Sequence, residues 1–252
     1  MGIKLDIKGV RLEYDDLRNT LYEEGKLLER DVRTVGEMKE VLLDSSFVED
    51  KNIKKFTYFM FRGAGTNKKK ETFNAYNIRH DITVLLDYDL GDEYNKTLGH
   101  YHPPSPSGPS YPELYEVLDG KALFIMQKRQ GGDRYDVKLM KAFPGDKVLI
   151  RPGYGHITVN MGKGPLILAN LVDKDFTSEY EPIRRMHGGA VYYTAKKNII
   201  VNQNYKEMSL SLEASEVLPE AIAKGKSIYD SYIKNPAAFE FLSKPELLYP
   251  KG

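Results

Sequence analysis

From Lys54 to Tyr205 the chain is a succession of short β-rich runs: FTYFMF, ITVLLDY, ELYEVL, KALFIMQ, KVLI, HITVN and LILANLV. Each is rich in β-branched and aromatic residues and too short for a typical helix, and turn residues separate them. Asp119-Gly120, Gly131-Gly132-Asp133 and Pro144-Gly145-Asp146 each stand between two strand candidates and carry the residue types that tight turns need. Several strands joined by short turns make a sandwich or barrel, a mainly β antiparallel domain of roughly 150 residues.

The flanks differ in texture. Residues 1–53 read as a charged N-terminal arm with one helix. Thr34 stands three residues before Glu37 in a capping-box arrangement, and Met38, Val41 and Leu42 then recur at helical spacing, so a helix is expected over about 35–44. Residues 54–205 form the β domain. Residues 206–252 include SLEASEVLPEAIAKGKSIYDSYIKNPAAFEFL, rich in Ala, Glu, Leu and Lys, and read as a C-terminal helical extension interrupted at Pro219, Pro236 and Pro245.

A chain of 252 residues can bury a sizeable core without covalent staples, and with no cysteine it has none. Thiolate metal sites and cysteine nucleophiles are excluded. Thirty-seven basic against thirty-six acidic residues leave a net charge of +1, so no nucleic-acid or membrane partner is expected and any anion must be held locally. Lys68-Lys69-Lys70 is too short a run to argue otherwise. Charges interrupt the N-terminus from the fourth residue, and the longest apolar stretch, Pro165 to Val172, is far below the ~20 residues that cross a bilayer. A cytoplasmic protein is the expectation.

Five histidines occur, and three fall in two tight patterns: His100-Tyr101-His102 and Pro152-Gly153-Tyr154-Gly155-His156. Residues two apart on a strand project from one face, so His100 and His102 can present ring nitrogens to one ion. A third imidazole and a carboxylate would complete a site for Fe, Mn, Ni, Cu or Zn, and His156 and Glu113 suit those places. His80 and His187 fit no pattern.

In order, Thr97-Leu98-Gly99-His100-Tyr101-His102, then Glu113-Leu114-Tyr115 with Gly120, then Gly145-Asp146-x4-Arg151-Pro152-Gly153-x2-His156-x3-Asn160 resemble the two paired motifs of the cupin superfamily. The resemblance implies a cupin (double-stranded β-helix, jelly-roll) barrel with His100, His102, Glu113 and His156 as metal ligands. PPSPSGPSYP separates His102 from Glu113 by more than the usual cupin spacing and reads as a loop at the barrel mouth. Arg151 stands where many cupins have proline. Glu116 is the rival carboxylate; it points the opposite way from Glu113 on one strand, and Glu113 has the better spacing to Gly120.

Thr97-x-Gly99-His100-x-His102, Glu113-x-Tyr115 and His156-x-Thr158-Val159-Asn160-x-Gly162, with Thr83-Val84-Leu85 upstream and Tyr180 downstream, look like the cupin-type phosphoglucose isomerases over roughly Ile82 to Pro182. That resemblance implies interconversion of glucose 6-phosphate and fructose 6-phosphate. It also implies one divalent metal ion per chain (iron first, then manganese, zinc or nickel) and a homodimer. It lines the sugar-phosphate pocket with Thr83, Thr97 and Gly99, with Tyr180 across it; Tyr115 is placed beside the ion or in the core, and Glu113 is the first candidate for proton abstraction between C1 and C2, with hydride transfer as the other route. Where short members of that family carry a histidine two residues before the tyrosine, this chain has Ser178. A cupin dioxygenase and a non-catalytic metal- or sugar-binding cupin are the alternatives, since the same ligand set serves other chemistry.

Overall fold

The computed structural model of the protein describes residues 3–7, 10–175, 177–213, 218, 222 and 226–249. Its strands form two principal sheets. The first contains β5 (Asp31–Thr34), β6 (Phe56–Arg62), β7 (Ile78–Leu85), β8 (Glu113–Asp119), β11 (Lys147–Ile150) and β13 (Leu166–Asp173), in the order β11-β8-β13-β7-β6-β5. The second runs β12-β9-β10-β16, from β9 (Ala122–Gly131), β10 (Arg134–Ala142), β12 (Gly155–Asn160) and β16 (Glu207–Glu213). A small sheet of β1 (Ile3–Ile7), β2 (Val10–Asp15), β3 (Thr20–Glu23) and β4 (Lys26–Leu27) covers one side, and β14 (Val191–Tyr193) pairs with β15 (Ile199–Val201).

The three expected turns all appear. Asp119-Gly120 joins β8 to β9, Gly131 to Asp133 joins β9 to β10, and Pro144 to Asp146 joins β10 to β11. Gly120 is required at its place: its φ is +89°, and a Cβ there would lie 2.9 Å from the Pro165 carbonyl oxygen and the Leu166 Cα.

Alternation along the strands divides the apolar residues among three cores. Between the two sheets lie Tyr58, Leu85, Tyr115, Val117, Val148 and Leu168 from the first sheet, facing Ala122, Phe124, Met126 and Met140 from the second. The outer face of the six-stranded sheet, including Phe59, Phe61, Ile82, Val84 and Leu114, packs against the N-terminal sheet. The same core takes in Ile228, Tyr229 and Tyr232 of the helix α4 (Ile228–Lys234), the fourth after α1 (Val35–Met38), α2 (Lys70–Ala75) and α3 (Glu181–Arg185). The outer face of the four-stranded sheet buries Leu123, Ile125, Val137 and Val159 under Ala190, Val191 and Tyr205. The fold is mainly β, a two-sheet barrel with its interior open at one end.

The flanks depart from expectation. The N-terminal segment is a sheet rather than an arm, and β5 already belongs to the barrel. The helix expected over 35–44 is one α turn, Val35–Met38, followed by a 3₁₀ turn, Lys39–Val41. Its start is as expected, with the Glu37 carboxylate accepting from the Thr34 N–H at 2.7 Å. Its end is tertiary: Lys96 Nζ donates to the Val41 carbonyl at 2.8 Å and Leu43 N–H to Glu93 at 2.5 Å, which pulls the backbone out of helical register.

The helical reading after Tyr205 fails over Glu207–Glu213, which is strand β16 running parallel to β10. EMSLSLE alternates at period two, and an open sheet edge outweighs its helix-forming Glu and Leu. Pro219 lies outside the described residues. Pro236 and Pro245 begin 3₁₀ turns, Pro236–Leu242 and Pro245–Leu248, rather than interrupting a helix. Among the described residues no helix is long and apolar enough to cross a membrane.

Candidate metal centre

His100 and His156 face each other across an isolated β-bridge. The segment around His100 runs antiparallel to β12, with His100 N–H donating to the His156 carbonyl at 3.2 Å and His156 N–H to the His100 carbonyl at 3.0 Å. On its other side Tyr101 pairs with Glu179, at 3.0 and 2.9 Å, which brings the Tyr180 ring to 5.6 Å from that of His100. Gly99 makes the approach possible: its φ is +85°, and a Cβ would fall 2.3 Å from Ile157 Cγ1. β12 alternates, sending Ile157 and Val159 to the outer core and leaving His156, Thr158 and Asn160 to face inward. Glu113 opens β8, in register with Val172 on one side and Ile150 on the other.

The four expected ligands converge. One ligand atom from each of His100, His102, Glu113 and His156 lies within 4.8 Å of the others. His102 Nε2 is 3.1 Å from His100 Nε2, and Glu113 Oε2 is 3.3, 3.5 and 4.0 Å from Nε2 of His102, His156 and His100. Ligand atoms about 2.1 Å from one transition-metal ion stand about 3.0–3.4 Å apart, so the spacing suits such an ion.

Protonation argues the same way. His102 Nδ1–H donates to the Tyr111 carbonyl at 2.7 Å, which turns its Nε2 toward His100 Nε2 and the Glu113 carboxylate. Glu113 Oε2 is buried with no hydrogen-bond partner. Burial, aided by the neighbouring imidazoles, holds His100 far below the ordinary histidine pKa; burial, only partly offset by Glu113, lowers His156 to about 4. Burial pushes the Glu113 carboxyl up, but the nearby imidazoles, His102 ahead of His156, prevail and hold it below the usual value. Neutral imidazoles at His100 and His156 beside an ionised carboxylate are ready-made cation ligands.

The cluster opens into a cavity of about 610 Å³, counting its mouth, inside the barrel. Thr83, Thr97, Gly99, Tyr115 and Tyr180 all line it. Thr97 Oγ1 also accepts from the Thr158 N–H at 2.9 Å, and Tyr115 Oη lies 3.1 Å from His156 Nε2, so both position the opposing strand as well. Ser178 lines the cavity too. His80 and His187 stand apart: His80 is buried on the other face of β7, and His187 is exposed. The long loop closes on itself through a bridge between Pro104 and Ser110, and Ser107 Oγ donates to Glu246 at 2.6 Å. Its extra length lets Tyr111 return beside His102.

Sequence reasoning missed Arg62, Arg79, Asp81 and Asn170 in the cavity wall. A signal existed. Arg79, Asp81 and Thr83 alternate with Ile78, His80, Ile82 and Val84, the period-two pattern of a strand with a polar inner face.

A family model described as "Glucose-6-phosphate isomerase (GPI)" matches residues 32–209, more than half of the chain and every residue of the cluster. The chain belongs to the glucose-6-phosphate isomerase family. Glucose-6-phosphate isomerase of Thermococcus litoralis is 29% identical over 124 residues, 49% of this chain and 61% of that protein. Its counterpart from Pyrococcus abyssi is 27% identical over 152 residues, 60% of this chain and 74% of the relative. The match thus spans about three fifths of the Thermococcus relative's length. Among solved structures, oxalate decarboxylase from Bacillus subtilis overlaps 48% of this chain and 28% of its own at 18% identity and a TM-score of 0.34, too small an overlap to bear on the assignment. Family membership agrees with the resemblance read from the motifs.

Proposed function

We propose that the protein is a metal-dependent aldose-ketose isomerase interconverting glucose 6-phosphate and fructose 6-phosphate. The observation that carries this reading is the convergence of three imidazoles and one carboxylate at an open-mouthed cavity whose wall includes His100, Glu113 and His156, all within the segment that matches the isomerase family. His100, His102, Glu113 and His156 would hold the ion. A divalent cation bound there supplies polarisation of the sugar's C1 and C2 oxygens.

The chain's own groups do the rest. Isomerisation moves a hydrogen between C1 and C2 and a proton between their oxygens, so an acid-base group must sit beside both carbons. Glu113 is that group in this reading: it is buried, it is kept ionised by its imidazole neighbours, and one of its oxygens has no other partner. Tyr115 stays protonated, since burial followed by the Glu113 charge raises its pKa well above the ordinary tyrosine value, and its hydroxyl is available as a donor next to His156. Thr83, Thr97, Gly99 and Tyr180 would frame the sugar phosphate. Iron is the first metal to test, followed by manganese, zinc and nickel, and a homodimer is the working assembly.

The deciding experiment is to purify the protein, measure its metal content and assay fructose 6-phosphate isomerisation with and without a chelator. About one ion per chain and chelator-sensitive turnover are expected. No turnover in fully metal-loaded protein would reject the reading.

A further inference from the structure

Three charged side chains in the cavity wall have no part in the ligand cluster. Arg62 on β6 and Asp81 on β7 are cross-strand partners, and Arg79 lies two residues before Asp81 on the same face. Asp81 is the hub. Its side chain is 3% exposed and accepts from Arg79 Nε at 2.9 Å, from Arg62 Nη1 at 3.2 Å and from the Gly63 N–H at 2.9 Å. One buried carboxylate therefore orients two guanidinium groups, and the triad carries one surplus positive charge into the cavity.

The guanidiniums keep donors in reserve, since each has five N–H groups in a fork that matches a phosphoryl group. Arg62 and Arg79 remain 41% and 24% exposed, against 3% for Asp81. Arg62 Nε also meets Asp31 at 3.0 Å, but Asp31 is 60% exposed on the edge strand β5, and such a solvated pair contributes little and exchanges readily. Arg79 Nη1 donates to the Lys174 carbonyl at 3.3 Å, which anchors its far end just beyond β13.

Register places this charge beside the threonine side of the pocket. Met60 pairs with Thr83 and Arg62 with Asp81, so Arg62 and Thr83 are diagonal neighbours on the inner face, roughly 7 Å apart at their backbones. Arg62 leans that way, its Nη2 lying 3.6 Å from Met60 Sδ. Asn170 and Tyr115 continue the Asp81 rung toward the ligand cluster.

We propose that Arg62 and Arg79, held by Asp81, are specificity-determining residues that recognise the phosphoryl group and select a phosphorylated sugar over a neutral one. This rests on the isomerase reading for the identity of the sugar; recognition of the anion itself does not. Balanced overall charge gives the protein no long-range pull on anions, so a local cation pair must supply it.

The test uses Arg62→Met, Arg79→Met and Arg62→Lys in the full-length protein, with folding checked by circular dichroism. Inorganic phosphate binding is measured calorimetrically on metal-free protein, and fructose 6-phosphate kinetics on metal-loaded protein. Each Met variant should weaken phosphate binding by about tenfold or more, the usual worth of a charge-assisted bond, with Arg62→Lys in between. KM should rise far more than kcat falls. Unchanged phosphate affinity in both Met variants, or no phosphate binding by the wild type, overturns the inference, and with a turning-over wild type leaves the isomerase reading standing. A wild type that binds phosphate through Arg62 yet does not isomerise leaves the inference standing and removes that reading.

Discussion

Glu113 and Glu116, three residues apart on β8, face opposite sides of one sheet and hold different partners. Glu113 Oε2 lies 3.3 Å from His102 Nε2 in the barrel interior. Glu116 lies on the outer face, where its carboxylate accepts from the Ile228 N–H at 2.7 Å and meets Lys147 Nζ at 3.5 Å. In the proposed reading one carboxylate serves the chemistry, while the other fastens the start of α4.

Glu113→Gln keeps an oxygen for weak ligation but removes the basic carboxylate. Metal should be partly retained while kcat for fructose 6-phosphate falls by roughly 10²-fold or more, the usual contribution of a general base. Near-wild-type turnover in the metal-restored variant would show that Glu113 is not the base. Solvent exchange at C1 or C2 in the wild type separates proton from hydride transfer. Glu116→Gln should leave turnover almost intact and instead lower stability by about 1–3 kcal/mol, because a charged acceptor of a buried N–H is weakened; denaturant melts measure it.

Removing any of His100, His102 or His156 as alanine should lower metal occupancy, read by elemental analysis, because each would supply a directly ligating nitrogen under the proposed assignment. Full occupancy in all three variants would end the assignment. The metal-free wild type should keep its far-ultraviolet circular dichroism, since three apolar cores rather than an ion hold the sheets together.

Gly99→Ala should be among the most damaging small substitutions in the barrel. It places a side chain at a φ of +85° and a Cβ 2.3 Å from Ile157 Cγ1, directly beside the His100–His156 bridge. A loss of about 2–4 kcal/mol is expected, with metal occupancy reduced as well. A thermal melt and metal content matching the wild type would contradict the role given to this glycine.

His80 should give the protein an acid-sensitive stability. It is fully buried, its Nδ1–H donates to the Ala64 carbonyl at 2.5 Å, and burial outweighs that bond and the Asp81 charge to lower its pKa. Below about pH 6.5 the unfolded chain takes up this proton while the folded chain does not. Stability is therefore complete above that pH and falls as pH drops toward the folded value, by up to about 1.4 kcal/mol per pH unit from this group. His80→Phe should flatten that limb in denaturant melts from pH 7 to 5 at equal metal load. An unchanged slope would place the acid sensitivity elsewhere.

Much of this was legible in the chain itself. Period-two alternation and Gly-containing turns suffice to specify strands, their order of connection and which faces are apolar, because side-chain direction in a strand depends only on parity. The same parity separates Glu113 from Glu116, and the ligand motifs name the four residues that meet. What parity cannot say is which strand lies beside which. EMSLSLE became β16 because β10 offered an unpaired edge, and the helix after Thr34 stopped early because Lys96 and Glu93 captured its carbonyl and amide from far along the chain. Arg62 entered the cavity wall beside Asp81 for the same reason: parity along β7 already puts Arg79 next to Asp81, but only the register of β6 against β7 brings Arg62 there, and register is settled by the packing of two whole faces at once.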